Sequence, residues 1–223
     1  MRVLVVASSA SELSGLGVFS DGADFMRRIL PCALGEIVGV PVGVGLVQAA
    51  LGTCSAILSW KPDHVLCFGT AGAVRSDLGI GELVVADEVV QFSLDLRRFG
   101  LERGSTFGSD AGVVVGSVRP MLDLPQLPGI VRINGVVGSS DLFVTRRWRE
   151  ENPWLEEELH VAATDMESFA VAEACGRFSI PCCVARVVSD TASGRRPKNY
   201  RRFLDEIVAD SLVSIIMSVK DRF

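Results

Sequence analysis

The sequence predicts an α/β fold, one domain over residues 1–223, with a largely parallel central sheet covered by helices on both faces. Three observations carry that expectation. Apolar Val/Ile/Leu runs of strand length recur along the chain, stretches of helical period separate them, and Gly, Pro or charged loops punctuate the joints. The composition agrees: 223 residues, 48% of them apolar and 22% charged, suffice for one large core and are too few for two full domains.

The elements follow in order. Arg2 to Ala7 reads as a strand, and Glu36 to Val42, with Val at alternate positions, as another. Leu46 to Trp60 reads as a helix that Lys61-Pro62-Asp63 ends. The uncharged stretch from Ile37 to Trp60 is long enough to span a bilayer, but Gly39, Pro41, Gly43, Gly45 and Gly52 divide it into strand, turn and helix. A short strand His64 to Phe68 then meets the glycine turn Gly69-Thr70-Ala71-Gly72. Strands are expected at Glu82 to Val90, near Gly112 to Val115, at Gly129 to Val137 and at Cys182 to Val188. Helices are expected at Trp148 to Leu159, Asp165 to Phe178 and Tyr200 to Val219.

Several function classes drop out. A net charge of −5 offers no positive field for nucleic acid or an anionic membrane surface. Six cysteines without C-x-x-C spacing and two histidines support neither a metal centre nor a disulfide framework, so no metal and no cofactor is expected. The apolar run Val3 to Ala7 is too short for a signal-peptide core, which makes the cytoplasm the expected compartment. Gly43-Val44-Gly45-Leu46-Val47-Gln48 fails the dinucleotide fingerprint at Gln48, no lysine follows a glycine, and no Gly-x-Ser-x-Gly elbow occurs. Carboxylates at element ends remain.

Glu12 follows the first strand, and a capping box with Ser9 would also account for it. Glu167 fits a second capping box with Thr164, yet it shares a helical face with Val171 and Ala174, so its carboxylate points toward the core and needs a partner. Asp190 closes the apolar run Cys183 to Val188, where ligand sites gather in α/β sheets; a turn or cap aspartate is the alternative.

These residues sit in a series of short motifs. They are Val44-Gly45 before an Ala-rich helix, Lys61-Pro62-Asp63, Gly69-Thr70-Ala71-Gly72 and Val84-Val85-Ala86-Asp87-Glu88. Further on come Ser139-Ser140-Asp141-Leu142-Phe143-Val144, Asp165-Met166-Glu167-Ser168 and Arg186-Val187-Val188-Ser189-Asp190. In order and spacing the chain resembles the purine and uridine nucleoside phosphorylase superfamily, and within it the 5′-methylthioadenosine/S-adenosylhomocysteine nucleosidases. That resemblance implies a mixed, mostly parallel sheet of the nucleoside phosphorylase-like kind. It also implies hydrolysis of the N-glycosidic bond of a small-molecule purine nucleoside, and a homodimer in which a neighbouring subunit helps close the 5′ pocket.

The implied roles are specific. Asp190 would protonate purine N7, Glu167 would bind the ribose hydroxyls, and Glu12 would activate water, with Thr70 and Arg186 orienting it. Phe143 would stack on the base, the Val144 main chain would read its edge, and Met166 and Ser189 would touch the substrate. Val44, Leu96, Phe99 and Tyr200 would line an apolar 5′ pocket. The chemistry suits such a set, since the purine leaves easily only when protonated and the ribose becomes cationic as the bond breaks.

The chain departs from the pattern at Ser9, Ser140 and Thr70, where methionine, glycine and serine are usual. Phosphorylases of the superfamily carry a Gly/Arg-rich phosphate loop after the first strand and an arginine before the second glycine-rich turn. Here Ser8-Ser9-Ala10-Ser11 and Cys67-Phe68 stand instead, which favours hydrolysis. The alternatives are a phosphorylase, a nonenzymatic nucleoside-binding protein, and a futalosine or aminodeoxyfutalosine hydrolase. An arginine from Arg97, Arg98 or Arg196 in the 5′ pocket would favour the last, because a carboxylate substituent needs a charged partner.

Overall fold

The structure, a computed structural model, describes residues 1–16, 29–32, 35–106, 127 and 129–220. Among the described residues, eight strands form one mixed, mostly parallel sheet: β1 (Arg2–Ala7), β2 (Ile29–Cys32), β3 (Gly35–Pro41), β4 (His64–Ala73), β5 (Leu83–Gln91), β6 (Arg132–Ser139), β7 (Val161–Asp165) and β8 (Cys182–Asp190). The expected strand near Gly112 to Val115 lies outside the described residues.

The strand order is β2-β3-β1-β4-β7-β6-β5-β8, and β8 also pairs with β4. Five strands therefore close on themselves. The first part of β4 pairs with β1 on one edge; beyond it, the same edge takes Thr164 and Ala163 of β7, while the opposite edge pairs with β8. This partial barrel, extended on one side by β1, β3 and β2, is more closed than the open sheet that an alternation of strands and helices suggests.

Helices cover both faces. Alternation along β1 sorts the core: Leu4 and Val6 pack with residues of α1 (Leu46–Trp60) and α4 (Ser168–Arg177), whereas Val3, Val5 and Ala7 pack with Leu13, Val208, Leu212 and Ile215. The second group comes from the 3-10 helix Ala10–Leu16, a π-helical turn Leu204–Val208 and α6 (Ala209–Lys220). The expected helix from Tyr200 is thus three consecutive pieces, beginning with α5 (Tyr200–Phe203).

Other boundaries shift for local reasons. Asn152-Pro153 splits the helix expected from Trp148 into α2 (Arg146–Glu151) and α3 (Trp154–Glu157), since proline cannot donate to the preceding turn. Gly69 to Gly72 is not a turn but the continuation of β4, with an irregularity at Ala71/Gly72. Helix α4 begins at Ser168, three residues later than expected, because Thr164 and Asp165 end β7.

Candidate active site

The parallel register of β4 on β8 sets the geometry. It places Arg186 opposite Gly69 and Asp190 opposite Gly72. A Cβ at Gly69 would lie 2.4 Å from Arg186 Nη1 and 2.8 Å from Glu12 Oε1; one at Gly72 would lie 3.2 Å from both Asp190 carboxylate oxygens. These glycines give charged side chains a close approach to the strand and do not form a turn.

Beneath the site, Arg186 is 1% exposed. Its guanidinium lies 2.7 Å from Asp165 and 3.7 Å from Glu167, and donates to Ser168 Oγ at 2.9 Å. Burial works against this charge, but the surrounding carboxylates outweigh it and hold the guanidinium protonated above its ordinary range. Cys67, at 3.2 Å from Arg186, is pushed up by burial and stays a thiol.

Each carboxylate has its own partners. Glu12 is not engaged in a capping box with Ser9. Its Oε2 accepts from Ser8 N at 3.1 Å and Ser8 Oγ at 2.6 Å, and its Oε1 from Thr70 N at 2.8 Å and Thr70 Oγ1 at 3.0 Å. Nor is Glu167 the third residue of a cap. It is itself the N-cap residue of α4, and Asp165 does the capping by accepting from Glu167 N and Ser168 N. Glu167 Oε1 accepts instead from Gly45 N, at the start of the 15-residue α1, 3.1 Å away. Burial pushes the Glu167 carboxyl above the usual carboxylate range, and Arg186 opposes the shift. Asp190, at the end of β8, accepts from Ser189 Oγ at 3.0 Å.

All three carboxylates line one cavity of about 510 Å³. Thr70, Val44, Phe143, Val144, Met166, Ser189 and Tyr200 line it with them. The remaining expected residues are elsewhere. Arg186 lies below the cavity rather than on its wall, where it holds Asp165 and Glu167. Leu96 and Phe99 sit at a 3-10 turn (Arg97–Phe99) outside the lining of this chain, with Phe99 68% exposed. Tyr200 brings a polar atom to the wall, its phenol oxygen 3.1 Å from Thr70 Oγ1.

Ser8, Asp165 and Asp141 have structural parts that the sequence reading does not assign. Ser8 holds Glu12, Asp165 caps α4 and pairs with Arg186, and Asp141 accepts from Leu46 N at 2.7 Å. Both aspartates stand in the motifs quoted above, which is the only signal that pointed to them. The arrangement offers, within one concave site, a donor-rich carboxylate (Glu12), a buried carboxylate beside a helix start (Glu167), and a third at a strand end (Asp190). Such a set can give a proton, take a proton and stabilise positive charge without a metal-ligand cluster, and none occurs among the described residues.

Similarity to known proteins extends along most of the chain. The family model described as the phosphorylase superfamily matches residues 18–215. A 5′-methylthioadenosine/S-adenosylhomocysteine nucleosidase from Geobacillus sp. (strain WCH70) is 28% identical over 192 residues, 83% of this chain and 82% of that protein. Among solved structures, a futalosine hydrolase mutant of Helicobacter pylori strain 26695 superposes with a TM-score of 0.82 at 26% identity, covering 100% of both chains. The Helicobacter pylori 5′-methylthioadenosine/S-adenosylhomocysteine nucleosidase with butyl-thio-DADMe-Immucillin-A gives 0.81 at 26% identity, covering 100% of this chain and 99% of that one.

Proposed function

This chain belongs to the phosphorylase superfamily, and we propose that it hydrolyses the N-glycosidic bond of 5′-substituted purine nucleosides such as 5′-methylthioadenosine and S-adenosylhomocysteine, releasing free adenine and the 5′-thioribose. The observation that carries the reading is the convergence of Glu12, Glu167 and Asp190 on one cavity in which Arg196 is the single basic residue among the described lining. A phosphorolytic site needs cations to clamp phosphate. A hydrolytic one needs a base for water.

Asp190 delivers a proton to purine N7, so the base departs neutral. As the bond breaks, positive charge grows on the ribose, and the ionised Glu167 carboxylate at the 2′ and 3′ hydroxyls stabilises it. Its fixed position follows from Gly45 N on one oxygen and Arg186 on the other. Glu12 takes the proton of the attacking water, oriented by the donors from Ser8 and Thr70. Phe143 stacks on the base, Val144 reads its edge through the main chain, and Met166 and Ser189 complete the contacts.

A second reading has its own observation. Arg196 lines the cavity, its guanidinium 5.9 Å from the centre of the Phe143 ring, while Arg97 is paired with Asp95 at 2.6 Å outside it. An arginine there suits a carboxylate-bearing 5′ group, the substrate character of a futalosine hydrolase.

The assembly we propose is a homodimer. Val47, Leu51 and Leu58 present an apolar face of α1 to solvent at 63–66% exposure, and Phe99 is 68% exposed outside the cavity of its own chain. The proposed setting is methionine salvage in the cytoplasm. Free thiols at Cys54, Cys67, Cys175, Cys182 and Cys183 suit a reducing compartment, and no helix among the described residues is long and apolar enough to cross a membrane.

Isosteric amides test the mechanism. Asp190→Asn and Glu12→Gln should each lower single-turnover cleavage of methylthioadenosine by about 10²- to 10⁴-fold while unfolding near the wild-type temperature. Near-normal cleavage by both would refute the assigned roles. Arg196→Gln separates the two substrate readings. Unchanged kcat/KM for methylthioadenosine with a loss of about tenfold or more for a nucleoside bearing a 5′ carboxylate would establish the second; equal effects on both would reject it. Sedimentation at micromolar concentration should give twice 23.9 kDa, and a fully active monomer would contradict the dimer.

A further inference from the structure

The hydroxyl protons around Glu12 can be counted. Glu12 Oε1 accepts from Thr70 twice, from the backbone N–H at 2.8 Å and from the side-chain hydroxyl at 3.0 Å. A threonine hydroxyl owns one proton. With that proton on Glu12, Thr70 Oγ1 offers only lone pairs to the Tyr200 phenol oxygen 3.1 Å away, so the phenol is the donor. Its own proton is then spent, and toward the cavity it presents lone pairs alone.

We propose that Tyr200 is a positioning residue for Glu12: its phenol donates to Thr70 Oγ1 and so commits the Thr70 hydroxyl proton to the carboxylate. The proposal rests on the reading of Glu12 as the base for water. Donation runs inward, from a side chain 48% exposed, through Thr70, to one that is 5% exposed. Each bond in such a chain polarises the next. Without the phenol, the Thr70 hydroxyl is free to turn its proton into the cavity, leaving Glu12 Oε1 with the backbone N–H alone.

The aim of the phenol is fixed from the helix side. Tyr200 is the first residue of α5, whose N-cap Asn199 accepts from Arg202 N at 3.0 Å, and its ring packs on Phe203 with centroids 6.1 Å apart. Glu12 from the 3-10 helix and Asp190 from the end of β8 are the carboxylates that face it, and Arg196 lines the same cavity. Burial pushes the phenol above its ordinary value, the hydrogen bond with Thr70 works against that shift, and the Glu12 and Asp190 carboxylates add to it.

Tyr200 is the only tyrosine in the chain, so an absorbance titration of the intact protein reads this phenol alone. Thr70→Val removes the acceptor. If Tyr200 donates, its neutral form loses support and the midpoint falls by about 0.5–1 pH unit. A midpoint that rises, as it would if Tyr200 accepted from Thr70, or one that stays put, overturns the proposal. Thr70→Ser, which keeps the hydroxyl, should retain the wild-type midpoint, and Thr70→Ala replaces the valine variant if that one does not fold.

Kinetics provides the second readout. Tyr200→Phe keeps the ring and should lower kcat about 3- to 10-fold with KM within about twofold, and this penalty should vanish in the Thr70→Val background. The same penalty in both backgrounds would show that Tyr200 acts independently of Thr70 and would overturn the proposal. The titration needs no substrate. A wild-type protein that cleaves no purine nucleoside would therefore refute the proposed reaction and still leave the donor order to be judged.

Discussion

A buried guanidinium organises this site. Arg186 sits in the middle of β8 with Asp165 and Glu167 against it, and an unpaired charge at such depth would cost several kcal/mol. Its satisfaction ties together three strands that are far apart in sequence. Asp165 ends β7, Gly69 in β4 leaves room for the guanidinium, and Ser168 at the start of α4 accepts from it. Glu167 is held at the cavity because Asp165, two residues before it, and Ser168, directly after it, are fixed on Arg186.

The closed part of the sheet explains why the functional carboxylates meet. In β4 and β8, Gly72 and Asp190 are register partners, while the 3-10 helix after β1 returns Glu12 over Gly69 and Thr70. The start of α1 supplies Gly45 N to Glu167 and Leu46 N to Asp141. The ends of β4 and β8, the 3-10 helix and one helix start thus place Asp190, Glu12 and Glu167 around about 510 Å³ of space. Each carboxylate has different partners, which is how residues of like chemistry are given different work.

Much of this was legible in the sequence where punctuation is strong. The bounds of β1 and α1 follow directly from the run of five apolar residues Val3 to Ala7 and from glycine before, lysine-proline after, a helical period. Strand β7 was not legible: Val161-Ala162-Ala163-Thr164-Asp165 is alanine-rich and lies between helical patterns, and only its complete burial in the sheet makes it a strand. The same omission moved the start of α4 and turned Glu167 into an apparent capping-box residue. Gly69 and Gly72 looked like turn formers because local chemistry cannot reveal which side chain crosses over a strand. Burial of the Glu167 carboxylate, by contrast, was readable from its position relative to Val171 and Ala174. The polar reach of Tyr200 was not, since an aromatic residue at a pocket wall gives no sign of where its hydroxyl ends.

The central claim is that these carboxylates direct water, rather than phosphate, to the sugar. The direct measurement is product analysis of methylthioadenosine cleavage in ¹⁸O-labelled water, with phosphate absent and with phosphate added. The account predicts free adenine, one labelled oxygen at the anomeric carbon of the thioribose, and a rate indifferent to phosphate. A sugar 1-phosphate product, with no base released until phosphate is supplied, would contradict it.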